Sequence, residues 1–241
     1  MSESLIWSIF FVPLAAFVVL GIIVRPFLNK YSVISGPIAV IAIGTSFALS
    51  LWAFVEVMIN KKHDLTSEPT NWMSIGDFHL TIGILLDPLT AIMLVVVTGV
   101  SLMVQIYSIG YMKPPEITEE HHGPAELGQP VYSRYFAYMC LFTSSMLGLI
   151  MAANVVQLFV FWELVGLSSY LLIGFWFHRP AAAAAAKKAF IVTRVGDLGF
   201  LIALMYLFFK TSGNADGLNF LEIETINNHL PGLSALIAGG G

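Results

Sequence analysis

Charge is scarce in this chain. Only 11% of its 241 residues are Asp, Glu, Lys or Arg, against about a quarter in an ordinary soluble domain. Cysteine is rarer still. Cys140 stands alone, which excludes an intrachain disulfide and any cysteine-based metal cluster built from this chain by itself. There is no basic stripe of the kind that tracks a nucleic acid. There is also no P-loop, dinucleotide glycine pattern, zinc-protease helix or iron–sulfur cysteine set. These absences remove the common soluble enzyme classes, and any redox chemistry connected with the chain is expected to occur in a partner. The opening Met1-Ser2-Glu3-Ser4 lacks the cationic region of a secretory signal, so the first apolar run is expected to be a retained helix.

Apolar side chains fill the space that charge leaves. Hydrophobic residues make up 57% of the chain, and the mean hydropathy is +0.82. About 20 apolar residues cross a bilayer as a helix, and the runs at 5–24, 33–59, 87–109, 135–152, 154–177 and 184–209 approach or exceed that length. The expected fold is therefore all-α and integral to a membrane. It has about six transmembrane helices, and residues 233–238 look like the opening of a seventh. Asp87-Pro88 places a capping carboxylate just before a proline at the first helical position. Residues 61–81 are polar, and weak alternation over 72–80 predicts a short hairpin outside the membrane. The other long polar stretch, 113–130, holds Glu116, Glu119, Glu120, His121, His122 and Glu126. A solvated loop is the favoured reading there, and a metal site the alternative. Residues 1–86 form a two-helix segment with an extracytoplasmic loop, and 87–241 the start of a second domain.

Basic residues orient the spans. Arg25, Lys30, Lys113, Arg134, Arg179, Lys187 and Lys188 lie in or beside the first, third and fifth connections. Lys61, Lys62 and Lys210 flank the other side. The positive-inside rule then puts the odd connections in the cytoplasm and the N-terminus outside. The expected compartment is a bacterial cell membrane, ahead of a mitochondrial inner or thylakoid membrane.

One charge interrupts the fifth run. Glu163 is alone among the residues from Asn154 to Phe177, about 14 Å along the helix and so near the bilayer middle. An ionisable group there marks an ion or proton pathway by default. Gly166 and Tyr170 share its helical face. The sixth run carries Arg194 at similar depth, Asp197 three residues on and within reach of an ion pair, and Lys187 two turns before Arg194. Thr193 is a candidate further partner for the Arg194–Asp197 pair. Burial disfavours a charged carboxyl and a nearby cation favours it. Moving the cation would thus convert a change of shape into proton uptake or release. Trp52, Trp72, Trp162 and Trp176 suit core or interfacial positions.

These residues also carry a family resemblance. The run from Phe161-Trp162-Glu163-Leu164-Val165-Gly166-Leu167-Ser168-Ser169-Tyr170 to Phe175, followed by Lys188-Ala189-Phe190-Ile191-Val192-Thr193-Arg194-Val195-Gly196-Asp197, resembles the largest antiporter-like membrane subunit of proton-pumping NADH:quinone oxidoreductase, respiratory complex I. That is the L-type subunit of bacteria, the F-type of chloroplasts and subunit 5 of mitochondria. Asp87-Pro88-Leu89-Thr90, Ile106 to Met112 and Arg134 to Met139 follow the same family in the same order. The resemblance implies that Glu163 is a proton-channel residue. It implies that Arg194 and Asp197 are the sixth-helix pair, and that Lys188 is the lysine of the Lys-Ala-Phe motif, whereas helix periodicity points to Lys187. Both lysines stay candidates. It further implies that NADH, FMN, iron–sulfur clusters and quinone belong to partner subunits, with no cofactor or metal in this chain. Its partners would be the other membrane subunits of the complex and the lipid bilayer. Residues 87–241 would then begin a proton-translocating antiporter-like domain that is truncated, the family chain being more than twice as long. Asn154 stands where many relatives have an acid. Two other functions stay open: the large subunit of a multisubunit sodium/proton antiporter, and an inactive membrane scaffold.

Overall fold

The computed structural model describes residues 3–27, 33–59, 70–75, 78–112, 128–211 and 221–229. In chain order these form α1 (Glu3–Val18), which runs through a π-helical turn (Val19–Val24) into the short α2 (Arg25–Phe27), then α3 (Ser35–Ile59) and a hairpin of β1 (Thr70–Ile75) and β2 (Phe78–Ile82). There follow α4 (Pro88–Tyr111), α5 (Gly128–Ile150), α6 (Val155–Ile173), α7 (Pro180–Thr211) and the short α8 (Ile223–Asn228). The stretch around His121 and His122 and the expected opening of a seventh span lie outside the described residues. No group of three or more metal-ligating side chains occurs among those described.

Five helical stretches, Glu3–Phe27, Ser35–Met58, Pro88–Tyr111, Val155–Ile173 and Pro180–Lys210, are long and apolar enough to cross a membrane. α5 has the length but is more polar, with Ser133, Arg134, Thr143, Ser144 and Ser145 along it. Its position explains that composition. α5 is the hub of the bundle, packed against α1, α3, α4 and α6. A helix surrounded by helices does not need the apolar exterior that lipid demands, and small hydroxyl residues let neighbours approach. α5 also begins at Gly128, earlier than the expected 135.

The antiparallel helices meet in two apolar clusters at opposite ends. One gathers Ile6, Ile9 and Phe10 of α1 with Val57 of α3, Leu94 of α4 and Leu147 of α5. The other gathers Leu20 and Val24 with Ile43 of α3 and Phe136 and Cys140 of α5. Between them, Pro13 sits inside α1 and has no N–H to donate to the carbonyl four residues back. That carbonyl belongs to Ile9, and the buried Ser46 hydroxyl of α3 donates to it at 3.0 Å. Ser144 of α5 donates to the neighbouring Phe10 carbonyl at 3.4 Å. The proline thus frees the Ile9 carbonyl as an acceptor for α3 instead of leaving a buried unmade bond.

The expected hairpin is present, antiparallel and irregular between Asn71 and Met73. Asp87 caps α4 as its sequence implied, accepting from the Thr90 amide at 2.7 Å. The α5–α6 turn is clamped on both sides. Leu85 N–H donates to the Met151 carbonyl at 3.1 Å, Val155 N–H to Leu221 at 2.9 Å and Ile223 N–H to Ala153 at 3.0 Å. Asn154, buried, is the joint. Its side-chain oxygen caps α6 by accepting from the Gln157 amide at 2.6 Å, and its amide donates to the Thr81 carbonyl. An aspartate could take the first bond and not the second, so this asparagine fixes both the start of α6 and the seat of the hairpin. Asn154→Asp should lower the unfolding free energy by about 1–3 kcal/mol, the usual range when a buried acceptor loses its donor. The check is the thermal midpoint of the purified membrane protein. An unchanged midpoint would mean that the hairpin is held by other contacts.

Candidate functional site

α6 and α7 lie side by side and antiparallel, and their pairs run in register down the seam. Phe159 meets Phe200 with ring centroids 5.3 Å apart. One turn on, Trp162 Nε1 donates to Asp197 Oδ1 at 2.9 Å. Next, the Arg194 guanidinium pairs with the Glu163 carboxylate and with Asp197 Oδ2 at 3.5 Å, while its Nη2 also donates to the Glu163 carbonyl at 3.2 Å. Further along, Tyr170 packs on Phe190 at 5.2 Å. At the end, a Cβ on Gly174 would touch the Ala186 side chain at 3.1 Å.

Arg194 is therefore the centre of the site. It comes from α7 and lies across α6, and Gly166 makes that crossing possible. A Cβ at Gly166 would sit 2.8 Å from Arg194 Nη2, too close for the guanidinium to stay. Phe190 supports it from its own helix, with the guanidinium carbon 4.5 Å from the ring centroid. Glu163 lies 8 residues into the 19-residue α6, about 12 Å along it. The cluster thus sits in the middle third of the span, where a charge without a counter-charge is most unfavourable. The Glu163 and Arg194 side chains keep 31% and 26% of their surface, Asp197 10%. One guanidinium between two carboxylates leaves one negative charge uncompensated.

The sequence-predicted residues separate into two groups. Glu163, Arg194 and Asp197 come together. Lys187 lies elsewhere, on the wall of a cavity of about 330 Å³ with Arg134, Tyr138, Tyr170 and Gly174. Lys188 is exposed. Two details differ from expectation. Arg194 is shared between helices and not closed on Asp197 alone, because the rotation of α6 turns Glu163 to face α7. Thr193 does not support the pair, because its hydroxyl bonds back to the Phe190 carbonyl at 2.9 Å, the usual habit of a helical threonine. The partner that Asp197 does have is Trp162, for which the sequence alone predicts a core or interfacial position. The signal was there: an indole N–H in an apolar span needs an acceptor.

Two further cavities flank the cluster. One of about 340 Å³ is lined by Trp162, Gly166, Tyr170, Phe190, Thr193 and Asp197 among others. The other, of about 350 Å³, is lined by Val160, Glu163, Leu164, Leu167, Phe190 and Arg194. The cluster is thus open on both sides of the α6–α7 seam, with Asp197 facing one space and Glu163 the other. Trp162→Phe keeps the ring and removes the donor. It should destabilise the protein by about 1–3 kcal/mol, since the bond is to a charged group, and Trp162→His should recover part of that loss. Denaturation of the purified protein measures it, and a neutral Trp162→Phe would show that Asp197 is satisfied without the indole.

Comparisons with known proteins cover this region and much of the rest of the chain. Residues 72–123 match the family model described as the N-terminus of chain 5 of NADH-ubiquinone oxidoreductase (complex I). Residues 152–239 match that of the transmembrane region of NADH:quinone oxidoreductase and Mrp antiporter subunits. The chain is 42% identical over 211 residues to NAD(P)H-quinone oxidoreductase chain 5 of Picosynechococcus, covering 85% of this chain and 29% of the relative. It is 39% identical over 244 residues to the chain 5 of Synechocystis, covering 98% and 32%. The chain therefore spans about a third of the length of the curated relatives it matches. Among solved structures, the Mrp complex from Dietzia superposes with a TM-score of 0.62 at 24% identity, over 96% of this chain and 22% of that one. An archaeal respiratory complex, the membrane-bound sulfane sulfur reductase, gives 0.63 at 18% identity over 86% and 37%. Both likenesses speak to fold.

Proposed function

The chain belongs to the antiporter-like membrane-subunit family of complex I chain 5, and from that premise we propose that it moves protons as a subunit of a proton-translocating NAD(P)H- or NADH:quinone oxidoreductase. The observation that carries the proposal is the position of Arg194, held between an acid of its own helix and an acid of the next, in mid-span. Electrons pass to quinone in partner subunits, which hold the nucleotide, flavin and iron–sulfur sites. This chain binds no redox cofactor and contributes no redox step. Its other partners are the membrane subunits beside it and the lipid around it. The excess of basic residues at the end where α1 stops and α7 starts supports an N-terminus on the side opposite the cytoplasm.

The chemistry follows from the charge count. With Arg194 between them, Glu163 and Asp197 share one counter-charge. At an effective dielectric of about 20, an ion pair at about 4 Å is worth about 4 kcal/mol. A swing of the guanidinium toward Asp197 removes most of that from Glu163. An isolated carboxylate in mid-membrane then gains more by taking a proton than by staying charged. The return swing expels it. When the guanidinium returns to Glu163, Asp197 is the acid left without a counter-charge and takes over the expelled proton. Because Glu163 and Asp197 line different cavities, uptake and release fall on different sides of the seam. Lys187 and Lys188 lie near the start of α7 and serve, in this proposal, as donors that feed the cluster from that surface. A sodium/proton antiporter would use the same cluster without electron transfer, and the shared Mrp family model is the observation in its favour.

Glu163→Gln keeps the shape and removes the titrating group. In the whole membrane complex, NAD(P)H-driven quinone reduction should persist. Proton translocation, followed by a pH-sensitive dye in sealed vesicles, should fall by about 100-fold, the scale of losing a positioned proton-transfer group. Pumping equal to the parent would remove Glu163 from the path. Sodium uptake without quinone reduction would favour the antiporter reading.

A further inference from the structure

The cavity that holds Lys187 has a chemistry of its own. α5 begins, α6 ends and α7 begins at the same end of the bundle, and the cavity lies among them. Arg134 is 6 residues inside α5 and Lys187 is 7 inside α7, so both stand about 9–11 Å from the helix starts. That is headgroup depth and not mid-span. The lining adds the hydroxyl-bearing side chains of Tyr138 and Tyr170, Gly174 and the apolar Leu171, Phe175 and Phe177. It includes two cations and no carboxylate.

Arg134 is set as a binding group. Its faces lie against Phe175 and Phe177, with the guanidinium carbon 4.8 and 5.2 Å from the ring centroids. One nitrogen, Nη2, donates to the Phe175 carbonyl at 3.2 Å, which fixes the group where α6 ends. Its Nε is buried with no hydrogen-bond partner among the described residues. Buried guanidinium nitrogens are almost always paired, and a planar fork held by stacking is suited to phosphate oxygens. Basic pockets between transmembrane helices on the cytoplasmic side are a recurring place for phosphorylated headgroups.

We propose that the cavity bounded by Arg134, Tyr138, Tyr170 and Lys187 is a phosphate-binding site, separate from the Glu163 cluster. The phosphate comes from the headgroup of an anionic phospholipid or from the free ion, and the two sources share the same recognition. Arg134 supplies the fixed fork, Lys187 a mobile point charge at the mouth, and the tyrosine hydroxyls two further donors. A volume of about 330 Å³ accommodates one phosphate with its substituent.

The whole membrane complex, purified in detergent, is the material for the test. One arm uses phosphatidylglycerol carrying a diazirine near its headgroup, with cross-linked peptides read by mass spectrometry. The other uses radiolabelled inorganic phosphate at equilibrium. Labelling is expected on the segments around Tyr138 and Gly174–Lys187. It should fall about fivefold in Lys187→Gln, the weight of one basic residue beside an anionic headgroup, and recover in Lys187→Arg. Lys187 is exposed, so its substitution leaves packing intact where Arg134→Gln also removes the bond to Phe175. Saturable phosphate binding that weakens in Lys187→Gln assigns the site to the free ion instead. Labelling outside these segments or indifferent to Lys187→Gln, together with no Lys187-dependent phosphate binding, overturns the proposal.

Discussion

A guanidinium in the middle of a bilayer has to be answered by a negative group, and the rest of the α6–α7 pairing follows from how Arg194 is answered. Its reach fixes the rotation of both helices, since Glu163 must face α7 and Asp197 must face α6. The side chain lies over Gly166, where a Cβ would push the guanidinium aside. It fixes their register as well, with an aromatic pair above the ion pairs and another below. Two charged pairs sharing one cation are a poor source of net stability compared with apolar packing. What they supply is a unique alignment and, in the proposed mechanism, a group that changes partners. The second property is one that an apolar seam of the same shape would lack.

The bundle is uneven in a way that suits this. α1, α3, α4 and α5 are pinned by two apolar clusters and by hydroxyl bonds to the Ile9 carbonyl, which Pro13 leaves available, and to the Phe10 carbonyl. α7 leans on α6 and on little else among the described residues, and Ile191, Val192, Val195, Leu198 and Ile202 face outward. Groups that have to move are drawn from weakly packed elements, and discrete shifts arise where packing has two arrangements to choose from. The cluster sits on that loose seam, while the well-packed half anchors it through Asn154 at one end of α6 and Arg134 at the other. Two residues outside the cluster therefore decide where Glu163 stands along the membrane normal.

Much of this was legible in the residues alone. The isolation of Glu163 in an apolar run, the three-residue spacing of Arg194 and Asp197, the cap at Asp87 and the alternation around Trp72 each name a local rule, and each local feature is present. What was not legible depends on how one helix faces another. Spacing along α7 gave the Arg194–Asp197 pair but could not say that α6 turns Glu163 into the same guanidinium. Nor could it say that Asp197 takes its other hydrogen bond from Trp162 and not from Thr193. The polarity of α5 reads from sequence as a weak span. In three dimensions it is the most surrounded helix, and its hydroxyls are the reason its neighbours fit. Gly166 and the indole N–H were the two available clues, since each is a demand that only a neighbouring helix can meet.

The separation of Lys187 from Arg194 has a consequence for any route between them. Helical spacing puts both on one face of α7, and Phe190 stands between them, covered by Tyr170 from α6. Tyr170 lines the cavity that contains Asp197 and also the one that contains Lys187. Tyr170 is the residue common to both linings. On the proposed route, a proton passing from the basic cavity to the cluster would meet an aromatic pair in which the tyrosine alone can accept and donate. A hydroxyl relays a proton without holding a net charge, so such a step avoids a third ion in the membrane. The helix thus keeps its fixed charges apart, two cations near its start and an ion-pair cluster in mid-span, with Tyr170 lining the space beside each.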